Sequence, residues 1–339
     1  MLKSDLSARI GGYLSERLGE SVEVEQLRRF PVGFSWTTYG VDVARSGQGS
    51  PRRSLILRIG PQDGLFAPYS AEPQVAILSA LEGSAVPAPR PYWHADDCTI
   101  LGAPFFFCER MQGRAPLPSP GSPDDPVASH RADLAQQFVA ALACLHLLDW
   151  RSHPALHDWA RGITPDNTAA RQIEGCLADY RRWAIRDEPA ILWAAHWLRR
   201  HAPVARRLSV VHGDYRIGNF LVDEGRITAV LDWEEVHIGD PLEDIGWAVL
   251  PQFSGGSGLV CRLIEESEFL DLYESIAGAP VDRGAVRYYS VLALLRLALV
   301  GVAAAHRIEI GGASDIRLAA LASQVPSTLR QMQKRIEAP

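Results

Sequence analysis

Scarcities narrow this sequence before any motif does. Its five cysteines, Cys98, Cys108, Cys144, Cys176 and Cys261, are scattered, odd in number and include no CxxC pair. Neither a disulfide framework nor a zinc site is expected from them, and reduced thiols in a cytosol fit better. His130, His153, His157 and His196 have no ligand-like spacing with Cys or Asp, which again gives no zinc site. There is no basic excess: the formal net charge is −6, which argues against nucleic acid or an anionic membrane as a partner. The N-terminal stretch MLKSDLSARIGGYL has no apolar core of the kind a secretory signal needs. The longest apolar run, residues 291–305, is interrupted by Arg296 and is short of the roughly 20 residues that span a bilayer. A buried helix is the expectation there, in a soluble, cytoplasmic protein. No internal repeat or low-complexity tract is present.

With 339 residues, 47% hydrophobic and 22% charged, the chain has the make-up of an ordinary globular protein and room for two lobes. Leu6, Ile10, Leu14 and Leu18 recur at four-residue spacing and predict a helix over 5–18. Strand-like segments follow over 22–30, 37–44 and 54–59, then a helix over 71–81 and strands over 92–95 and 99–110. Five prolines and two glycines in 113–126 leave no regular element, so 111–127 is expected to be a hinge or linker. Beyond it the periodicity predicts helices over 129–148, 168–182, 190–201, 265–275 and 286–306, interrupted by a small β-insert over 208–232. The expected fold class is α+β and bilobal: a β-rich N-lobe over 1–110 and a mostly helical C-lobe over 128–339.

The strongest chemical signal is His212-Gly-Asp214-Tyr-Arg216-Ile-Gly-Asn219, followed 13 residues later by Asp232. Phosphoryl transfer asks an enzyme for a carboxylate to orient the attacking hydroxyl and for hard oxygen ligands to hold magnesium on the phosphates. Asp214 can supply the first, and Asn219 with Asp232 the second. The spacing H-x-D-x-x-x-x-N matches the catalytic loop of protein kinases. Each of these residues alone reads more simply as a turn or strand cap. Together, an apolar strand at Val210-Val211 and another over 227–231 would aim three polar side chains at one point.

The pattern V-H-G-D-x-x-x-x-N, then L-D-W-E, then G-D-P-x-x-D-I resembles the aminoglycoside phosphotransferase/choline kinase family. It is similar to the family's broad bacterial branch, which also resembles the kinase domain attached to some acyl-CoA dehydrogenases. The resemblance runs from about Leu27 to Trp247 and continues more weakly after it. It implies a protein-kinase-like fold and transfer of the ATP γ-phosphate to a hydroxyl group of a small molecule. By the same match Asp214 would be the catalytic base, and Asn219 and Asp232 would bind Mg2+.

In the N-lobe, Gly33-Phe34-Ser35-Trp36-Thr37 sits between two strand-like runs, where a kinase places its phosphate-covering turn, and it matches the family's short G-x-S-x-x-T-Y pattern. A plain Gly-Ser hairpin would look the same. Arg58 stands on a strand where protein kinases carry a lysine for the α/β-phosphates; a guanidinium fork can serve there. Glu72 is taken as its carboxylate partner in preference to the register that falls on Gln74. The resemblance makes the backbone of Glu109 and Met111 the adenine contacts. His212 is expected to orient its loop, not to act as a base. Asp240 and Asp244 are expected to pin the loop or cap a helix starting near Pro241. Arg216 and Glu234 could touch substrate or phosphate, or be surface charges. Five of nine tryptophans, Trp150, Trp159, Trp183, Trp193 and Trp197, crowd one helical region that could roof the acceptor or simply pack helices. His146, on an apolar helix, is expected to be a satisfied core histidine.

Overall fold

The computed structural model describes residues 3–30, 35–45, 52–61, 69–117 and 125–338. The chain divides into two compact units: Met1–Gly83 with Ala88–Gln112, and Ser84–Pro87 with Gly113–Pro339. In the first, helix α1 (Lys3–Leu18) leads into strands β1 (Val22–Phe30), β2 (Thr37–Arg45) and β3 (Arg53–Ile59). Helix α2 (Glu72–Ala80), strand β4 (Pro91–Ala95), the short helix α3 (Cys98–Leu101) and strand β5 (Phe105–Glu109) follow. The sheet is antiparallel throughout, in the order β1-β2-β3-β5-β4.

Alternation sorts its residues onto two faces. Leu55, Leu57 and Ile59 of β3 turn toward the core that Ile10, Tyr13 and Leu14 of α1 help to build. Phe105 and Phe107 join them, Tyr13 meeting Phe105 edge-on at 5.0 Å. Arg58 stands on the opposite face, in register with Thr38 and Phe106. Phe106 in turn packs against Trp36 at 5.7 Å.

One expectation fails in this unit. The strand predicted over 99–110 is split, because Asp97 caps a helical turn by accepting the Thr99 N–H at 2.8 Å. Gly102, at φ 92°, closes that turn in the left-handed region, and β5 begins only at Phe105. A local cap and a glycine exit outweigh the apolar run.

The second unit carries helices α4 (Arg131–Leu147), α5 (Pro154–His157), α6 (Thr168–Trp183) and α7 (Pro189–Arg200). Two small hairpin-like sheets follow: β6 (Ser209–Val211) pairs with β9 (His237–Gly239), and β7 (Phe220–Asp223) with β8 (Arg226–Val230). Helices α8 (Leu242–Ala248), α9 (Glu266–Ala277), α10 (Arg283–Glu309), α11 (Ile316–Ser323) and α12 (Val325–Glu337) complete it. The 27-residue α10 is the central strut, touching α6, α7, α8, α11 and α12. Among the described residues it is also the one helix long and apolar enough to cross a membrane, with its apolar residues largely buried among those neighbours. Residues 113–117 leave no helix or strand, although Arg114 exchanges backbone hydrogen bonds with Val222 of β7 at 2.9 Å each.

Candidate active site

Strand β6 ends at Val211, and the chain turns sharply at Gly213, whose φ is +83°. A Cβ there would lie 2.6 Å from the Glu235 carbonyl oxygen, so only glycine passes. Asp244, fully buried in α8, fixes this turn from the far side. Its Oδ2 accepts the His212 N–H at 2.7 Å and its Oδ1 the Gly213 N–H at 2.8 Å. His146 of α4 reaches the same carboxylate through Nε2 at 3.0 Å, while its Nδ1 meets the Tyr273 hydroxyl at 2.7 Å. Burial works to raise the Asp244 pKa, but the hydrogen bonds from His146 and the loop outweigh it and hold the carboxyl below the ordinary range. Burial likewise depresses His146, against the pull of Asp244. The expectation of a satisfied core histidine is met, and His146 is tied to the loop by a single carboxylate.

His212 is completely buried, and both ring nitrogens are engaged. Nδ1 accepts the Asp214 N–H at 3.1 Å, so Nε2 carries the proton and donates it to the Leu231 carbonyl at 3.0 Å. A ring spent in this way orients its loop and has no lone pair for a substrate. Trp233 packs against it, with ring centroids 4.4 Å apart.

Three donors converge on the Asp214 carboxylate. Oδ1 accepts from Arg216 Nε at 2.8 Å and from the indole Nε1 of Trp247 at 2.7 Å. Oδ2 accepts from Asn219 Nδ2 at 2.6 Å. Burial raises the Asp214 pKa above its usual value; Arg216 opposes that shift and Asp232 reinforces it. A carboxylate held in place with a raised proton affinity is suited to taking a proton from a hydroxyl.

Asn219 spends both amide hydrogens on Asp214, the second reaching the Asp214 backbone carbonyl at 2.9 Å. Its amide oxygen is therefore the atom left to face a cation. The Asn219 carbonyl accepts the Leu231 N–H at 2.7 Å, which brings the end of β8 and the next residue, Asp232, beside the loop. Asp232 itself adopts a left-handed conformation, φ 68° and ψ 60°, which Asp tolerates better than most residues. An amide oxygen and a carboxylate fit the few hard ligands that Mg2+ takes from a protein. Among the described residues no group of three or more His, Cys, Asp or Glu makes a denser metal site.

Asp240 accepts the Leu242 N–H at 3.0 Å, starting α8, and the Tyr289 hydroxyl at 3.1 Å. Of the two acids expected to pin the loop or cap the helix, Asp240 does the capping and Asp244 the pinning. Arg216 lies against both Asp214 and the Phe253 ring, 5.3 Å from its centroid. The tryptophans of the 150–197 region spread out: Trp150 is buried and donates to the Leu208 carbonyl at 3.1 Å, and Trp197 stacks on His201 at 4.5 Å. The tryptophan that touches Asp214 is Trp247, which sequence reasoning did not single out. Its one signal was its place directly after the G-D-P-x-x-D-I-G run.

In the first unit, Gly33 and Phe34 lie outside the described residues. Trp36 is buried against Tyr69 and Phe106, and Thr37 opens β2. Glu72 is the exposed first residue of α2, whereas Gln74 is buried at 2% exposure. Glu109 closes β5 with its N–H on the Arg90 carbonyl at 2.8 Å, and Met111 follows it.

A family model described as a phosphotransferase enzyme family matches residues 26–281. Among curated proteins the chain is 27% identical over 265 residues to acyl-CoA dehydrogenase family member 10 of Mus musculus, covering 77% of this chain and 24% of that protein. The chain thus spans about a quarter of that relative's length. Among solved structures it is similar to a putative aminoglycoside phosphotransferase from Ralstonia eutropha, with TM-score 0.73, 23% identity, and 97% and 98% of the two chains covered. It is also similar to a thermostable mutant of the aminoglycoside phosphotransferase APH(4)-Ia in ternary complex with ADP and hygromycin B. That likeness has TM-score 0.52 and 17% identity, covering 97% and 99%. At these identities the two structures show the fold, which is the protein-kinase-like α+β fold expected from the sequence.

Proposed function

The chain belongs to the phosphotransferase enzyme family, and from that premise we propose that it transfers the γ-phosphate of ATP, with Mg2+, to a hydroxyl of a small molecule. The observation that carries this reading is the convergence on Asp214, where Asn219, Arg216 and Trp247 hold one carboxylate in a fixed orientation. Asp214 receives the acceptor's hydroxyl proton as the hydroxyl oxygen attacks the γ-phosphorus and ADP leaves with the bridging electron pair. Asn219 and Asp232 would hold the magnesium, which when bound neutralises phosphate charge. His212 and Asp244 keep the loop in shape and stay out of the chemistry. Arg58, the 33–37 turn and the backbone of Glu109 and Met111 contribute the nucleotide contacts, and Glu72 is the proposed partner of Arg58. With its N–H taken by Arg90, Glu109 would contribute its carbonyl.

The test is a screen of hydroxylated acceptors with Mg·ATP, read by ADP release and by the phosphorylated product, with Asp214→Ala as control. A second reading changes only the acceptor, to a hydroxyacyl or lipid-like molecule. It is favoured by the relative named for an acyl-CoA dehydrogenase, and hydroxyacyl thioesters in the same screen decide it. Nucleotide binding without turnover of any acceptor would point instead to a pseudokinase.

A further inference from the structure

Trp247 gives the proposed base a hydrogen bond from an uncharged donor. Its indole N–H reaches Asp214 Oδ1 at 2.7 Å from α8, 33 residues along the chain. Gly246 makes this reach possible, since a Cβ there would meet the backbone and Cβ of Tyr289 at 2.6 Å; the glycine lets α8 lie directly on α10. The indole is held on both sides. Phe253 packs on it at 5.7 Å, and the Arg296 guanidinium lies 5.3 Å from its centroid, itself tied to Glu235 Oε2 at 2.9 Å. Trp247 is 7% exposed.

Lone pairs turn this geometry into an assignment. Each carboxylate oxygen offers about two acceptor positions. Among the described residues, both on Oδ1 are occupied, by Arg216 and Trp247, whereas Oδ2 accepts from Asn219 alone. We propose that Trp247 is a positioning residue for the phosphotransferase reaction: with Arg216 it closes Oδ1, so that the acceptor hydroxyl must present its proton to Oδ2. This rests on Asp214 being the base. The proton moves from the hydroxyl to Oδ2 as the new O–P bond forms and the bond to the departing ADP breaks, so charge and atoms balance without a further reactant. Oδ2 is also the oxygen bonded to Asn219, so the reacting hydroxyl is drawn to the side where the metal ligands stand. The charged and titratable groups facing Asp214 are Arg216, His212, Asp232, Arg296 of α10 and Cys261. Trp247, like Asn219, is an uncharged donor to this carboxylate, so removing its N–H changes the base without removing a charge.

The variant is Trp247→Phe, which keeps an aromatic ring and deletes the N–H. Its kcat is expected to fall roughly ten- to a hundredfold, the worth of one hydrogen bond to a charged group. The acidic limb of its kcat/KM–pH profile should move to higher pH, with the KM for ATP unchanged. A second measurement needs no turnover. In 15N-labelled protein, the indole cross-peak missing from Trp247→Phe should follow the Asp214 titration in the wild type and be displaced in Asp214→Asn. An active wild type whose Trp247→Phe variant keeps both kcat and pH profile overturns the positioning role, as does an indole cross-peak that ignores pH and Asp214→Asn. A wild type that transfers no phosphate to any acceptor, with the cross-peak still following Asp214, overturns the phosphotransferase reading itself and with it any role in that reaction.

Discussion

Asp244 Oδ2 accepts the backbone N–H of His212 at 2.7 Å, so a side chain from α8 sets the conformation of the turn that presents Asp214. The same carboxylate takes the Gly213 N–H and the His146 ring. Asp244→Ala would leave two buried N–H groups and a buried imidazole without their acceptor. The expected loss of stability is about 3–5 kcal/mol, in the range for removing one partner of a buried charged pair. Asp244→Asn should lose less, because one oxygen still accepts. Denaturant unfolding of the three proteins checks the order.

Gly213→Ala introduces both a left-handed non-glycine residue and a contact of 2.6 Å with the Glu235 carbonyl. Backbone strain of this kind costs on the order of 1–3 kcal/mol, and the turn must shift to relieve the clash. A shift moves Asp214 as well. The expected outcome is a folded protein with a lowered melting temperature and kcat reduced by about a hundredfold or more, measured by calorimetry and steady-state kinetics.

Asp240 gives a pH signature. Burial pushes its pKa up to about 6 from 3.8, with the Leu242 N–H opposing the shift. A folded-state pKa above the unfolded one means that the folded protein binds more protons between the two values. The Asp240 contribution to stability is therefore full below about pH 4 and is lost as pH rises through about 6. Two units correspond to about 3 kcal/mol. Asp240→Asn lacks this loss, so its stability relative to wild type should rise by up to about that amount between pH 4 and pH 7. Unfolding curves at both pH values test the sign; a constant difference would refute it.

The two proposed metal ligands should show in the magnesium requirement. Asp232→Asn removes charge from the donor pair, and Asn219→Ala removes both a ligand and the orientation of Asp214 Oδ2. Asp232→Asn is expected to raise the Mg2+ concentration for half-maximal rate by about tenfold or more. Asn219→Ala should in addition lower kcat at saturating Mg2+. Rates titrated against Mg2+ at fixed ATP distinguish the two patterns.

The parts of the molecule set by local pattern were legible in the sequence. Strand β1 runs over Val22–Phe30 as expected, and α6 and α10 cover the helices expected over 168–182 and 286–306. The loop motif was legible too, because the spacing from His212 to Asn219 is itself the geometry of one turn. What escaped was decided by partners distant in sequence. The three-residue β9 is a strand only because His237 pairs with Val211. His146 meets Asp244 across 98 positions, and Trp247 meets Asp214 across 33; no spacing rule carries either contact. Strand prediction over 99–110 erred for the opposite reason, since a local cap at Asp97 overrode a longer apolar pattern.

The most direct measurement is transfer of labelled γ-phosphate from Mg·ATP to hydroxylated acceptors by the wild type and by Asp214→Ala. The wild type is expected to give a phosphorylated product from at least one acceptor. Asp214→Ala should still bind nucleotide but lose about a hundredfold or more in kcat. Equal turnover by the two proteins would refute the role of Asp214 as base, because it would show that the acceptor's proton leaves without Asp214.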